Sequence, residues 1–176
     1  METRILDVFP EGYKWVVLTA SLLCIECFLL GLIFINGTRK RFFTREYLDR
    51  NYGETANREF GAPPSNGGYP DAGNGLHSTA WSLEQWFNFN TAMRGHLNFV
   101  ENLPAMVILT LFSGIFYPKI VFWLGLAHIL FRLLFILGYV ANPAYRSFGF
   151  LPMLLVLLAQ IVLIIIGLWK LFFPPK

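Results

Sequence analysis

Asn90, Arg94, Asn98 and Glu101 follow one another at steps of four, four and three residues in the stretch FNFNTAMRGHLNFVENLP, which runs from Phe87 to Pro104. On a helix that spacing places all four on one face. Arg94 and Glu101 are two turns apart, too far for the best intrahelical ion pair, while Asn98 and Glu101 are neighbours. His96 points elsewhere, roughly opposite Arg94. Three more arginines bear on the same chemistry: Arg39 at the end of the first apolar segment, Arg132 inside the third, and Arg146 just after it. A guanidinium grips a carboxylate through two parallel N–H donors, so several of them at one membrane face suit a small polyanion. Glu101 and the asparagines would then read the ligand's amino group and amides. Two readings of these residues stand level: an anion site between helices, and an internal polar network that only holds helices together.

The elements that must carry these residues are apolar. Of 176 residues, 55% are hydrophobic and 14% charged, against about 25% charged in a soluble domain. The run from Trp15 to Ile35 contains one charge, Glu26, and the run from Leu151 to Trp169 contains none. About 20 such residues are what a helix needs to cross the hydrocarbon of a bilayer, so the chain is an integral membrane protein. The first run begins too late and extends too far for a cleaved secretory signal, and is expected to be retained. A net charge of +3 gives no argument for nucleic acid as a partner. Cys24 and Cys27, without a nearby histidine, cannot complete a zinc site; they read as small buried residues, and no metal is expected.

Four helices are predicted, at about 13–35, 83–112, 118–140 and 149–173. The links SGIFYPK and ANPAYRS are short, which forces antiparallel neighbours. The predicted fold is therefore all-α, a single four-span transmembrane bundle over 1–176 with up-down topology and a long polar loop at about 36–80. That first connector starts with basic residues from Arg39 to Arg58 and continues as the Pro/Gly/Asn-rich GAPPSNGGYPDAGNG, read as loop. Basic flanks place the first and third connectors on the cytoplasmic or matrix side, with the termini opposite; Arg4, Lys14, Lys119, Lys170 and Lys176 weaken the bias. YPDAGNGLH has a single carboxylate, too few oxygens for calcium. Trp81 and Trp86 are expected as interfacial anchors. His77 is expected in solvent, and His128, four residues before Arg132, in helix packing.

The stretch FNFNTAMRGHLNFVENLP closely resembles the second-helix signature of the MAPEG superfamily, the membrane-associated proteins of eicosanoid and glutathione metabolism. Arg94, His96, Asn98 and Glu101 all match that pattern, with Phe89-Asn90 or Phe87-Asn88 as its start. Downstream, GIFYPKIVFWLGLAHILFRLLFILGY is similar to the third helix of type-three microsomal glutathione transferases. YKWVVLTASLL followed by NGTRKRFF resembles that subgroup's first helix and its basic exit. The resemblance covers the chain apart from about Gly53 to Trp81, where this sequence is longer.

The resemblance implies a homotrimer that binds glutathione, as co-substrate, between neighbouring subunits near the cytosolic face. Arg39, Arg94, His96, Asn98, Glu101 and Tyr139 would contact the tripeptide, and Arg146 would be the catalytic residue that stabilises its thiolate. A free thiol near pKa 8.5 is mostly protonated at neutral pH, and an adjacent cation favours the anion. A lipophilic electrophile or lipid hydroperoxide would reach the sulfur from the bilayer. Arg132 would be structural. One position departs from the catalytic relatives: four residues before Tyr139, where they carry tyrosine, stands Phe135, which cannot donate to a thiolate.

Two function classes follow. One is a glutathione transferase, with possible peroxidase activity, of the endoplasmic reticulum or a mitochondrial membrane. The other, motivated by Phe135 and by the long connector, is a non-catalytic scaffold or a structural subunit of a larger membrane assembly such as a respiratory complex. A transporter has less support, since four spans show no inverted repeat.

Overall fold

The computed structural model describes residues 9–174; Arg4 and Lys176, counted above in the charge bias, lie outside them. Among the described residues the regular structure is all helical. It comprises α1 (Tyr13–Leu30), α2 (Asn36–Phe42), α3 (Arg45–Phe60), α4 (Leu83–Phe116), α5 (Pro118–Ala141) and α6 (Ser147–Phe172). A π-helical turn, Gly31–Ile35, joins α1 to α2, and short 3-10 turns lie at Asn66–Gly68, Leu76–Ser78 and Pro143–Arg146. Among the described residues four stretches are long and apolar enough to cross a membrane: Tyr13–Phe42, Leu83–Phe116, Pro118–Ala141 and Pro143–Phe172. The described residues divide into two compact units, one of residues 9–28 and 98–174, the other of residues 29–97.

In the first unit the helical segments of all four spans meet at one core. Tyr13 and Val16 of α1 and Val121 of α5 are buried there, with Leu111 of α4 and Leu163 of α6 packed against them. Apolar side chains cannot drive helices together in lipid, so close backbone approach and buried hydrogen bonds must do so. Gly125 of α5 accepts the Thr19 side chain of α1 where any Cβ would collide, and Gly149 of α6 lies directly on the backbone of Phe131 and Phe135. The Tyr13 hydroxyl donates to the Leu111 carbonyl at 3.2 Å, and the Gln160 amide donates to the Thr110 hydroxyl, also at 3.2 Å. The outward faces remain apolar, with Trp123, Leu155 and Trp169 all more than half exposed, as lipid contact requires.

Several boundaries differ from the sequence expectation. The link SGIFYPK is no loop: α4 runs to Phe116 and α5 begins at Pro118, leaving Tyr117 as the break. Proline at the first helical position loses no hydrogen bond and starts a helix readily. The first span also continues past Ile35 to Phe42, so Arg39 stands in a helical turn. Cys27 is buried, as expected, but Cys24 is exposed.

The second unit corrects the expected long polar loop at 36–80, because its first half is helical. Thr44 caps α3, its hydroxyl accepting the Tyr47 N–H at 3.2 Å, and Gly61 ends the helix in the left-handed conformation. Pairs at i,i+4 add support: Arg45 with Asp49 at 2.7 Å, and Arg50 with Glu46. Leu48, Gly53 and Ala56 form its buried side. The core of this unit is aromatic. Phe43, Leu48 and Phe89 are buried, with Phe42, Tyr47, Tyr52 and Trp81 around them; the Phe43 and Trp81 rings lie 4.5 Å apart. Trp81 is thus part of a protein core and not an interfacial anchor. Trp86 is 41% exposed and donates its indole N–H to Asn74 at 3.1 Å. The His77 ring sits 3.1 Å from the Gly68 carbonyl and 5.2 Å from the Tyr52 ring, so it too is engaged by the connector.

Candidate functional site

The second-helix signature lies on α4, a 34-residue helix that is roughly 51 Å long at 1.5 Å per residue. A hydrocarbon core is about 30 Å thick, so the polar N-terminal turns of α4 have no need to enter it. Of the two possible starts of the signature, Phe89-Asn90 is the one held by the fold. Phe89 is fully buried and Asn90 donates to the Gly73 carbonyl at 3.1 Å, whereas Phe87 is exposed.

Within the first unit, Asn98 is tied to α5. Its side-chain oxygen accepts from Nη1 of Arg132 at 2.9 Å, and its backbone carbonyl accepts from Asn102 at 2.7 Å. Arg132 is 2% exposed. Its guanidinium carbon lies 4.5 Å from the centre of the Phe99 ring and 5.0 Å from that of Phe135. Around Arg132 the polar groups are poorly satisfied: both oxygens of buried Glu26, Nε2 of His128 and Nε of Arg132 itself are buried without hydrogen bonds. His128 is buried at 3% exposure, in line with a packing role.

Phe135, Tyr139 and Arg146 form a stack at the α5–α6 turn. The Phe135 and Tyr139 rings are 5.7 Å apart and nearly parallel, and the Arg146 guanidinium sits 5.8 Å from the Tyr139 centroid. The local sequence makes this turn tight. Asn142 accepts the Ala144 N–H at 2.9 Å and Pro143 follows it at the first position of the 3-10 turn. A Cβ on Gly138 would stand 2.9 Å from the Tyr145 carbonyl oxygen, so only glycine lets the turn fold onto α5. Phe135 is buried, while Arg146 and Glu101 are exposed. The sequence-predicted residues Tyr139 and Arg146 are therefore brought together, as are Asn98 and the arginine expected to be structural.

Within the second unit, Arg39 is buried at 4% exposure. Its Nη2 donates to the Asp71 carbonyl at 2.6 Å and its guanidinium lies 3.8 Å from the Tyr69 ring centre. The connector thus takes up part of its donor set; Nε is buried without a partner. Arg94 is exposed. His96 packs its imidazole against Gly31, where a Cβ would meet Cε1 at 2.8 Å and Nε2 at 2.9 Å. The π-helical turn begins at that glycine, and π-turns inside helices are frequent at functional sites.

Residues 16–166 match the model of the MAPEG family. The chain belongs to the MAPEG family. Among curated proteins none matches it. The family match takes in the second and third spans whole, most of the first and last, and every residue from Arg39 to Arg146 discussed above, so this MAPEG protein carries the signature on a helix of the expected type.

Asp71 is what sequence reasoning missed in this MAPEG chain. Read as an ordinary loop carboxylate, it organises the connector. It accepts the N–H groups of Gly73 at 2.6 Å, Gly75 at 2.9 Å and Ser78 at 2.8 Å, and the Ser78 hydroxyl at 3.4 Å. Burial pushes its carboxyl up, but these hydrogen bonds outweigh burial and hold it below the ordinary value. The signal was the spacing D-x-G-x-G, an aspartate that bonds its own backbone two residues on.

Proposed function

We propose that this protein is a membrane-bound glutathione transferase resembling the type-three microsomal enzymes. In this reading it is a homotrimer in the endoplasmic reticulum or a mitochondrial membrane, with glutathione held between helices of neighbouring subunits. Arg94, Asn98 and Glu101 would hold the tripeptide's charged and amide groups, with Arg39, His96 and Tyr139 as further contacts. The carrying observation is the stack that sets exposed Arg146 beside Tyr139 at the α5–α6 turn.

The chemistry follows from what a cation does to a thiol. A guanidinium near the sulfur favours the thiolate, which is the nucleophile. The thiolate forms a carbon–sulfur bond to an electrophilic carbon, and the leaving group departs with its electron pair. With a lipid hydroperoxide, the thiolate would attack the peroxide oxygen and the O–O bond would break. The lipid alkoxide takes a proton, and a second glutathione attacks the sulfur of the sulfenic acid so formed, expelling its hydroxyl as water and giving the disulfide. Delivery of the acceptor from the bilayer to a bound thiolate replaces an encounter between two phases by a positioned one.

A second reading rests on Phe135. Its ring lies between Arg132 and Tyr139 with no hydroxyl to offer, which favours a binding scaffold or a structural subunit of a larger membrane complex. The assay that separates the two is conjugation of an aryl halide by the purified, detergent-solubilised protein and by its Arg146→Ala variant. Turnover that Arg146→Ala abolishes supports the enzyme; equal rates in the two proteins refute it.

A further inference from the structure

In the first unit a cavity of about 530 Å³ opens where the starts of α1 and α5 come together, lined by Glu11, Gly12, Trp15, Pro118, Lys119 and Phe122. Its size falls within the range of small-molecule pockets, roughly 300–1,000 Å³. It shares no residue with the glutathione reading above. We propose that this cleft holds the headgroup of a zwitterionic phospholipid, with the lipid phosphate on Lys119 and the cationic amine on Glu11.

Position gives the first argument. Glu11 and Gly12 directly precede the first span, and Pro118 and Lys119 open the third, so the cleft lies where a span leaves the hydrocarbon and headgroups are found. Trp15 and Phe122 lie about one turn deeper, their rings 6.0 Å apart and tilted. They supply the apolar wall for the start of the acyl chains, as aromatic residues do at membrane interfaces.

Charge gives the second. A carboxylate and an ammonium line one cleft, yet among the described residues neither Glu11 nor Lys119 takes part in an ion pair. A purely anionic lipid would meet Lys119 but also the Glu11 carboxylate, which repels a second negative charge. A zwitterion answers both signs at once.

The test uses full-length protein purified in detergent and exchanged into an equimolar mixture of phosphatidylethanolamine and phosphatidylglycerol, with retained lipid read by native mass spectrometry. Wild type is expected to keep phosphatidylethanolamine over phosphatidylglycerol by about fivefold, the upper end for an exposed ion pair. Glu11→Gln should bring that ratio to about one, and Lys119→Gln should lower retention of both lipids. Both side chains are exposed, so the variants should fold, which circular dichroism checks. Equal or greater retention of phosphatidylglycerol by wild type, or an unchanged ratio in Glu11→Gln, overturns the proposal.

Discussion

The Arg146 guanidinium lies 5.8 Å from the ring centre of Tyr139, and Tyr139 stacks at 5.7 Å on Phe135. An exposed cation thereby lies over the outer ring of an aromatic pair at one end of α5. At an exposed site such a cation–π contact contributes about 0.5–1 kcal/mol, which biases the guanidinium towards the ring. That bias sets the charge at the α5–α6 turn, where the proposed thiolate-stabilising role would use it.

Phe135→Tyr tests whether the missing hydroxyl limits activity. In the enzyme reading the added hydroxyl can donate to the thiolate, and a gain of about tenfold in conjugation rate is expected, the lower end for a hydrogen bond to a charged group. An unchanged rate would assign the activation to Arg146 alone.

Asn98→Ala should act on both stability and binding. It leaves Nη1 of buried Arg132 without the acceptor it has at 2.9 Å, a loss of about 1.5–3 kcal/mol for a charged donor. Thermal unfolding in detergent should shift down accordingly, and glutathione affinity measured by calorimetry should fall with it. A variant of unchanged melting temperature would show that Arg132 does not depend on this contact.

How much of this was readable in advance depended on which physical signal each residue carried. The four spans were legible because twenty apolar residues have few other uses, and the α4 signature because its spacing matches a helical face. Helix α3 was hidden. Its hydropathy is that of a loop, and its cap, Thr44, and its stop, Gly61, are short signals that a search for apolar runs passes over. Tyr117 was overread as part of a loop although Pro118 marks a helix start as readily as a break. The partnerships of Asn98 with Arg132 and of Arg39 with Asp71 join residues 34 and 32 positions apart, and no local rule pairs them. Tertiary contact decided both.

Gly31→Ala is expected to destabilise the second unit by about 1–3 kcal/mol, the usual range for overpacking, because the new methyl meets the His96 imidazole. Adding His96→Ala should recover most of that loss if the two residues are coupled only through this contact. Hydrogen exchange over the Gly31–Ile35 turn reads the effect. A double variant no better than the single one would place the strain elsewhere.

Asp71 predicts a pH dependence for the connector. Its folded-state carboxyl is held below the ordinary value, so the stabilisation is present above the unfolded pKa of about 3.9. It is lost as pH falls through the folded value. Hydrogen exchange protection of residues 61–82 should therefore be flat above about pH 5 and drop only in stronger acid. Asp71→Asn should lower protection at neutral pH and flatten the acid drop. A steep loss of protection between about pH 5 and 7 in wild type would contradict the assignment, because no shifted value of this carboxyl lies there.

The most direct measurement of the central claim is the ultraviolet absorbance of glutathione thiolate on the purified protein, titrated with pH in wild type and in Arg146→Ala. The account predicts that bound thiol ionises about 1–3 pH units below the free value near 8.5 in wild type, the range for a cation within contact distance, and that Arg146→Ala returns it towards that value. Glutathione that binds and ionises identically in both proteins, or that fails to bind at all, would contradict it.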